Sequence, residues 1–183
     1  ALKRTEEEVR KRHSDWSEKK IIEVSRVLAF GALKFEMVKV SGEKVITFDM
    51  ETALRFDGYT SAYLQYTYAR IKSMVRKVTP IVKKAKVDYQ LLTDNKEKKL
   101  AVMLARFPEV VVMAGEIYQP SEIARYLHEL GQLFNDFYHS VPILHDVSLP
   151  PSLSKARLEL AEVTSLVIQR GLDLLGIQTV EEM

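Results

Sequence analysis

Aromatic and cationic side chains fall on one side of a helix that the sequence predicts from about Ala62. Gly58 permits a turn that a side chain would obstruct, and Thr60 or Ser61 can accept a hydrogen bond from a free backbone N–H group. The apolar stripe of this helix consists of Leu64, Tyr68, Ile71, Val75 and Val78. The opposite side carries Tyr63, Tyr66, Arg70 and Lys77. Rings that stack on bases, beside cations that bind phosphates, are typical of surfaces that bind RNA.

A second interpretation of the same helix stays open at this point. The tyrosines could pack on a neighbouring helix while the cations are simply hydrated, and the periodicity alone favours that arrangement. In that case the helix would have a structural role only.

Positive charge is concentrated in the middle of the chain, so the net charge of +2 is uninformative by itself. Residues 70 to 99 contain ten cations and three anions, whereas residues 100 to 183 contain five cations and eleven anions. The cations of the basic stretch that could form one ridge are Arg70, Lys72, Arg76, Lys77, Lys83, Lys84 and Lys86. Phosphates could meet them there and release counterions, although a charge run is more often a hydrated face.

A second group of polar and aromatic residues lies on a helix predicted from Pro120 to about Ser140. The apolar stripe of this helix consists of Ile123, Leu127, Leu130, Phe134, Phe137 and Val141. His128, Asn135 and His139 share the polar side, with Tyr138 beside them, and could offer a ring and polar edges to an unpaired base. The two phenylalanines belong to the expected core, while Tyr138 could face either way.

Residue patterns for catalysis or for a tightly bound cofactor are missing from the sequence. There is no catalytic pair of carboxylates, no Ser, His and Asp constellation and no glycine-rich loop for a phosphate. The four histidines, which include His13 and His145, are spaced poorly for chelation, so no metal site is expected. The absence of cysteine suits a reducing cytoplasm. No apolar run approaches the length of a membrane span, and residues 1 to 20 are too charged for a secretory signal.

Amphipathic segments joined by short connections predict an all-α fold, an antiparallel helical bundle. Further helices are predicted from Ser17 to about Lys39, from about Lys96 to Phe107 and from Ser154 to Leu175. Gly176 is a plausible C-cap of the last one, and Asp49 is expected to cap a short helix through Leu54.

The remaining segments are expected to be less regular. Residues 1 to 15 look frayed or linker-like, and residues 44 to 49 alternate like a short strand or an extended connector. Pro80 should mark the end of the helix of residues 62 to 79 and lead into a polar connection. Residues 110 to 117 should form a short buried helix, although their first five residues alone could be a strand. A proline-containing loop is expected at residues 142 to 151.

Three segments carry a resemblance to a known family. They are GYTSAYLQYTYARIKS at residues 58 to 73, ELGQLFNDFYHSVPIL at 129 to 144 and ARLELAEVTSLVIQRGLDLLGIQTVEEM at 156 to 183. In this order they resemble the C-terminal part of class I arginyl-tRNA synthetases, with a DALR-type anticodon-binding domain. The sequence departs from the family pattern at Tyr59, where Asn or Asp is usual, and at Ser61-Ala62, where Gly-Pro is usual.

The resemblance implies a division of the chain and of the parent enzyme. Residues 1 to 58 would be a remnant of the catalytic domain and a linker, and residues 59 to 183 the helical anticodon-binding domain. The intact enzyme would join arginine to its tRNA with ATP and Mg. This fragment has neither a His-x-Gly-His nor a Lys-Met-Ser-Lys-Ser-like motif, so it is expected to be inactive alone and to hold no cofactor.

The expected partner is therefore a tRNA with an arginine anticodon. The protein is expected to be a monomer in the cytoplasm and to bind no membrane. In this hypothesis Tyr63, Tyr66 and Tyr138 stack against bases and Asn135 reads a base edge. The side chains expected to hold phosphates are Arg70, Lys72, Arg76 and Lys77. The alternative is a helical interaction module whose aromatic ridge binds a protein, with the cations at its rim.

Overall fold

The computed structural model describes residues 2–42, 44, 48–144 and 149–183, and these residues form helices and connections without any β-strand. The helices are α1 (Leu2–Arg12), α2 (Glu18–Val38), α3 (Met50–Ala53), α4 (Ser61–Arg76), α5 (Pro80–Lys84), α6 (Asn95–Ala105), α7 (Phe107–Glu116), α8 (Ser121–Ser140) and α9 (Pro151–Leu174), with a 3-10 turn at Tyr89–Leu91. The predicted all-α class is confirmed. The strand or connector predicted at residues 44 to 49, and His145 in the predicted loop, fall largely or wholly outside the described residues.

Polar side chains fix where the helices begin. The Thr60 hydroxyl accepts a hydrogen bond from the Tyr63 backbone N–H at 3.1 Å, so Thr60 rather than Ser61 caps α4. The expected cap at Asp49 is confirmed, since its carboxylate accepts from the Glu51 N–H at 2.9 Å. Asp94 caps α6 in a capping box with Glu97, whose carboxylate accepts from the Asp94 N–H at 2.8 Å. These bonds satisfy N–H groups that no helical carbonyl can reach.

The main core lies where α4, α8 and α9 meet, with α6 and α7 packed against α8. The α4 stripe is oriented as predicted, with Leu64, Tyr68 and Ile71 buried and the last two valines half-buried. The two phenylalanines of the α8 stripe, Phe134 and Phe137, are fully buried, as expected. Burial of such rings is worth several kcal/mol each, because truncating a buried Phe typically costs about 3–5 kcal/mol.

Residues 2 to 15 are more ordered than their composition predicts. The expected frayed leader is α1, which packs along α2 and buries Val9 against Ile21, Val24 and Leu28. Arg10 strengthens the contact through two hydrogen bonds of 2.6 Å to Glu18. The prediction failed because an 11-residue helix is marginal by itself and depends on apolar partners elsewhere in the chain.

Two other expectations need correction. The connection after Pro80 contains the short helix α5, which Thr79 caps and whose Val82 is buried. Residues 107 to 116 form the helix α7 rather than a strand, but this helix is not wholly buried, because Val110 and Ala114 are its only buried residues. Val112, at 60% exposure, points to solvent, since α7 packs on α8 along a single side.

A buried ion pair holds α6, α9 and the segment after α8 together. Arg157 Nε donates to Glu97 Oε1 at 2.6 Å, and the Glu97 side chain is fully buried. Arg157 Nη1 also donates to the Pro142 carbonyl at 2.7 Å. Every charge of the pair is therefore opposed inside the protein, as burial requires.

Residues 177 to 183 return across α2 and α4. Gly176 ends the turn after α9 with φ of +70°, a conformation that side chains disfavour, in agreement with the predicted C-cap. Beyond it, Gln65 donates to the Gln178 carbonyl at 2.7 Å, and Val180 and Met183 pack against the α1 and α2 cluster. Among the described helices, none is long and apolar enough to cross a membrane.

Candidate nucleic-acid interface

A groove between α4, α8 and the segment that follows α8 brings half of the predicted binding residues together. Its volume is about 540 Å³. The predicted residues that line it are Tyr66, Arg70, Lys77 and Tyr138, together with His139. Thr60 and the buried stripe of α4 position the first three, since α4 can present this side only when its apolar side faces the core.

Arg70 is the central charge of the groove. Its Cζ lies 4.7 Å from the centre of the Tyr66 ring and 5.2 Å from that of Tyr138, within the range of cation–π attraction. Nη1 donates to Asn135 Oδ1 at 3.1 Å. Arg70 forms no ion pair with any described residue. The guanidinium is thus held in place, and no carboxylate in the described part of the chain opposes its positive charge.

The rings of Tyr66 and Tyr138 are half-buried and still border the groove. Tyr66 packs edge-on against Phe56, with 6.1 Å between ring centres. Tyr138 lies 6.0 Å from Phe134 and 5.5 Å from His139. Tyr138, which the sequence leaves undecided, is therefore neither a core residue nor a free surface ring. Each ring is fixed by neighbours on one side, as a stacking platform must be.

Tyr63 and Asn135 lie between α4 and α8 and are bonded to each other. Asn135 Nδ2 donates to Tyr63 Oη at 2.6 Å. The Tyr63 ring is half-buried against His128, 5.5 Å away between centres, and burial raises the pKa of its hydroxyl. The base contacts expected of these two residues stay predictions, and both polar ends of the Asn135 amide already have partners within the protein.

His128 is less accessible than its place on a polar helix side predicts. Its ring lies half-buried between Tyr59 and Tyr63, and its Nδ1 atom is buried without a hydrogen-bond partner among the described residues. Burial lowers the pKa of His128; nearby Glu129 opposes this effect, and Lys39 adds to it. His139, in contrast, is exposed at the groove.

The other predicted cations differ in how far their charges are compensated. Lys77 is exposed, and the Lys72 ammonium lies 5.2 Å from the Tyr68 ring centre. Arg76 instead approaches the segment after α9, with Nη2 3.3 Å from the Glu181 carbonyl and 3.6 Å from Glu182 Oε1. Its predicted phosphate contact remains untested, but its charge is already opposed.

Lys83, Lys84 and Lys86 are exposed on α5 and just after it, and they do not line the groove. No group of three or more His, Asp or Glu side chains within the described ranges could hold a metal ion.

Residues 64–183 match the model of the DALR anticodon binding domain, about two thirds of the chain. The chain belongs to this family. Every residue named above as lining the groove lies within the matched range, whereas α1, α2 and α3 precede it. The match agrees with the family suggested by the three sequence segments.

Relatives and solved structures agree with the DALR assignment. The arginine–tRNA ligases of Thermococcus kodakarensis and Halothermothrix orenii are both 36% identical to this chain. Each match covers 100% of this chain, and it covers 29% and 31% of the two ligases, respectively. The arginyl-tRNA synthetase of Thermus thermophilus superposes with a TM-score of 0.84 at 32% identity, covering 100% of this chain and 31% of its own. That of Plasmodium falciparum, at 24% identity with a TM-score of 0.85, covers 100% of this chain and 32% of its own and supports the fold alone. The chain therefore spans about a third of these proteins.

Sequence reasoning missed one residue on which the interface of the DALR domain depends. A Cβ atom on Gly131 of α8 would lie 2.9 Å from Tyr63 Cε1, closer than real contacts allow. Gly131 therefore lets the Tyr63 ring lie against α8. A glycine within an apolar helical pattern was the available signal, since it often marks a close approach.

Proposed function

We propose that this DALR domain binds the anticodon arm of a tRNA as the RNA-binding part of an arginine–tRNA ligase. The observation that carries the proposal is the Arg70 guanidinium beside two half-buried rings, at a groove of about 540 Å³, with no carboxylate partner among the described residues. Single-stranded RNA is commonly recognised by stacking of unpaired bases on rings, with cations on the backbone.

Each side chain of the groove has a role in this proposal. Tyr66 and Tyr138 stack against bases splayed from the loop, because both residues line the groove. The free N–H groups of Arg70, together with Lys72 and Lys77, bind phosphate oxygens. Tyr63 and Arg76 are weaker candidates for RNA contacts. The Tyr63 ring is packed between helices, and carboxylates oppose the charge of Arg76.

The chemistry of the parent enzyme is assigned to residues outside this chain. Ligation of arginine to tRNA with ATP and Mg requires motifs that are not present in this sequence. The described domain would therefore bind the tRNA and discriminate between anticodons, without taking part in catalysis. We further propose a preference for arginine anticodons, and a monomer that acts in the cytoplasm.

The alternative of a protein-binding module receives less support from the groove. Protein-binding patches are usually depleted of lysine, although tyrosine and arginine are common in them, so Lys77 is the residue of the groove that argues against a protein partner. Here Arg70 and Lys77 border the groove and have no carboxylate partner among the described residues. Such an arrangement suits a polyanion better than an apolar protein surface.

The test is binding of an anticodon-arm hairpin to the purified chain, compared with a hairpin whose anticodon is replaced. Tyr138→Ala should weaken binding of the first hairpin by about 5- to 150-fold, because a stacked ring is worth about 1–3 kcal/mol. Tyr118→Ala is the matched control, since Tyr118 is 91% exposed and does not line the groove.

Salt dependence tests the phosphate contacts separately. Arg70→Ala should reduce the slope of log affinity against log salt by about one. Equal binding of both hairpins, with no effect of Tyr138→Ala in a folded protein, would refute the proposed recognition of the anticodon.

A further inference from the structure

Asn135 is the side chain that connects Arg70 to the interior of the bundle. Arginine has only donors, so the Asn135 group that faces it must be the carbonyl oxygen Oδ1. The Nδ2 group must then face Tyr63 Oη, which accepts the bond. The chemistry of the two partners fixes the orientation of the amide, and both of its ends are used inside the protein.

The partner behind Asn135 is itself held by packing. The Tyr63 ring lies against His128 on one side and against the backbone of Gly131 on another. Tyr63 is therefore a fixed anchor, and Asn135 transmits that fixed position to Arg70 through two hydrogen bonds in series. A guanidinium on a flexible stem would otherwise lose rotamer freedom when it binds a ligand.

The neutral amide at position 135 matters as much as its geometry. A carboxylate there would also accept from Arg70, but it would oppose the charge, as Glu181 and Glu182 oppose that of Arg76. An amide orients the guanidinium and leaves its full charge for an anionic ligand. The contrast between these two arginines of α4 shows both arrangements in one helix.

We propose that Asn135 is a positioning residue that acts on RNA only through Arg70 and contacts no base itself. This inference rests on the proposed function for its ligand, a phosphate-bearing RNA loop. Asn135 sets the direction of the Arg70 guanidinium, and its lack of charge preserves the attraction of that group for phosphate.

A double-mutant cycle on hairpin affinity tests this dependence. Asn135→Leu should weaken binding by about 12- to 160-fold, the loss typical of one hydrogen bond to a charged group. Arg70→Met keeps the apolar stem and removes the donors. In the Arg70→Met background, Asn135→Leu should change affinity by less than about twofold. If Asn135 reads a base directly, the two losses multiply, and the proposal is refuted.

A conservative variant separates positioning from charge. Asn135→Asp keeps an acceptor for Arg70, and the Tyr63 hydroxyl can donate to the new carboxylate, so the geometry survives. Affinity should nevertheless fall and the salt slope should flatten, because the carboxylate opposes the guanidinium charge. Wild-type affinity for Asn135→Asp would contradict the role given to the neutral amide.

A measurement without RNA keeps the positioning claim independent of the proposed function. The ¹⁵Nε order parameter of Arg70 should be high in the wild type and in Asn135→Asp, and should drop in Asn135→Leu, with urea unfolding confirming that each variant is folded. An unchanged order parameter in Asn135→Leu overturns the proposal. Absence of hairpin binding by the wild type would instead refute the proposed function and leave the positioning claim to be decided by this result.

Discussion

Replacing Glu97 by Gln should destabilise the domain far more than its small change in volume suggests. Glu97 Oε1 accepts from Arg157 Nε at 2.6 Å, and Oε2 accepts from the Asp94 N–H at 2.8 Å. Glutamine has one oxygen, so it can satisfy only one of these donors, and its amino group would face the other. Arg157, at 9% exposure, would also lose its counterion.

The expected loss is about 3–5 kcal/mol, the range found when one partner of a buried ion pair is removed. A domain of this size typically has a total stability of about 5–15 kcal/mol, so the variant would be marginal. The melting temperature should fall by about 6–20 °C, since each kcal/mol shifts it by about 2–4 °C in chains of 150–250 residues. The groove between α4 and α8 should loosen as well, because Arg157 also binds the Pro142 carbonyl at its edge.

Urea unfolding followed by circular dichroism measures the loss directly, provided that the slope with denaturant is unchanged. The double variant Glu97→Leu, Arg157→Met is the matched control, because removal of both charges should cost less than Glu97→Gln alone. A loss below about 1 kcal/mol for Glu97→Gln would show that the pair is not buried in solution as described here.

Two further predictions concern the packing around Tyr63. Gly131→Ala should destabilise the domain by about 1–2 kcal/mol in urea unfolding, because the new Cβ atom would collide with the Tyr63 ring. Gly115→Ala is the control: its Cβ atom would meet nothing within 4 Å, so it should stabilise α7 by about 0.5–1 kcal/mol. A change of the same sign in both variants would count against the collision. Burial lowers the pKa of His128, so the stability that depends on its neutral form is present above its ordinary pKa of 6.5 and is lost as the pH falls toward the lower folded value. Wild type should therefore lose more stability than His128→Gln from about pH 7 to pH 5, with exposed His139→Gln as control; equal losses would contradict the assignment.

Local signals in the sequence were sufficient for most helix positions. The cap at Asp49 and the apolar stripe of α4 were predicted correctly, because each depends on contacts within a few residues along the chain. Helix α1 was missed because its apolar partners include Val180 and Met183, far away in the sequence. The outer side of α7 was expected in the core because its residues are apolar, yet periodicity cannot say that no described helix covers that side.

The sequence predicted some of the side chains that line the groove but not how they are connected, and their binding roles stay predictions. Arg70 and Tyr138 lie at one groove as the two motifs suggested, since α4 and α8 are adjacent. The opposed charge of Arg76 could not be foreseen, because its partners are Glu181 and Glu182 more than 100 residues later. The two side-chain hydrogen bonds of Asn135 could not be predicted either, because they depend on how α8 is rotated toward α4.

The return of residues 177 to 183 across α2 has a consequence during protein synthesis. Lys20 pairs with Glu182, 162 positions later, and Val180 completes the cluster that buries Val9. Until residues 177 to 183 have left the ribosome, a nascent chain cannot close this cluster, so α1 and α2 keep apolar side chains exposed. Slow closure of such distant contacts should make this end of the bundle the last part to mature and the region most in need of a chaperone.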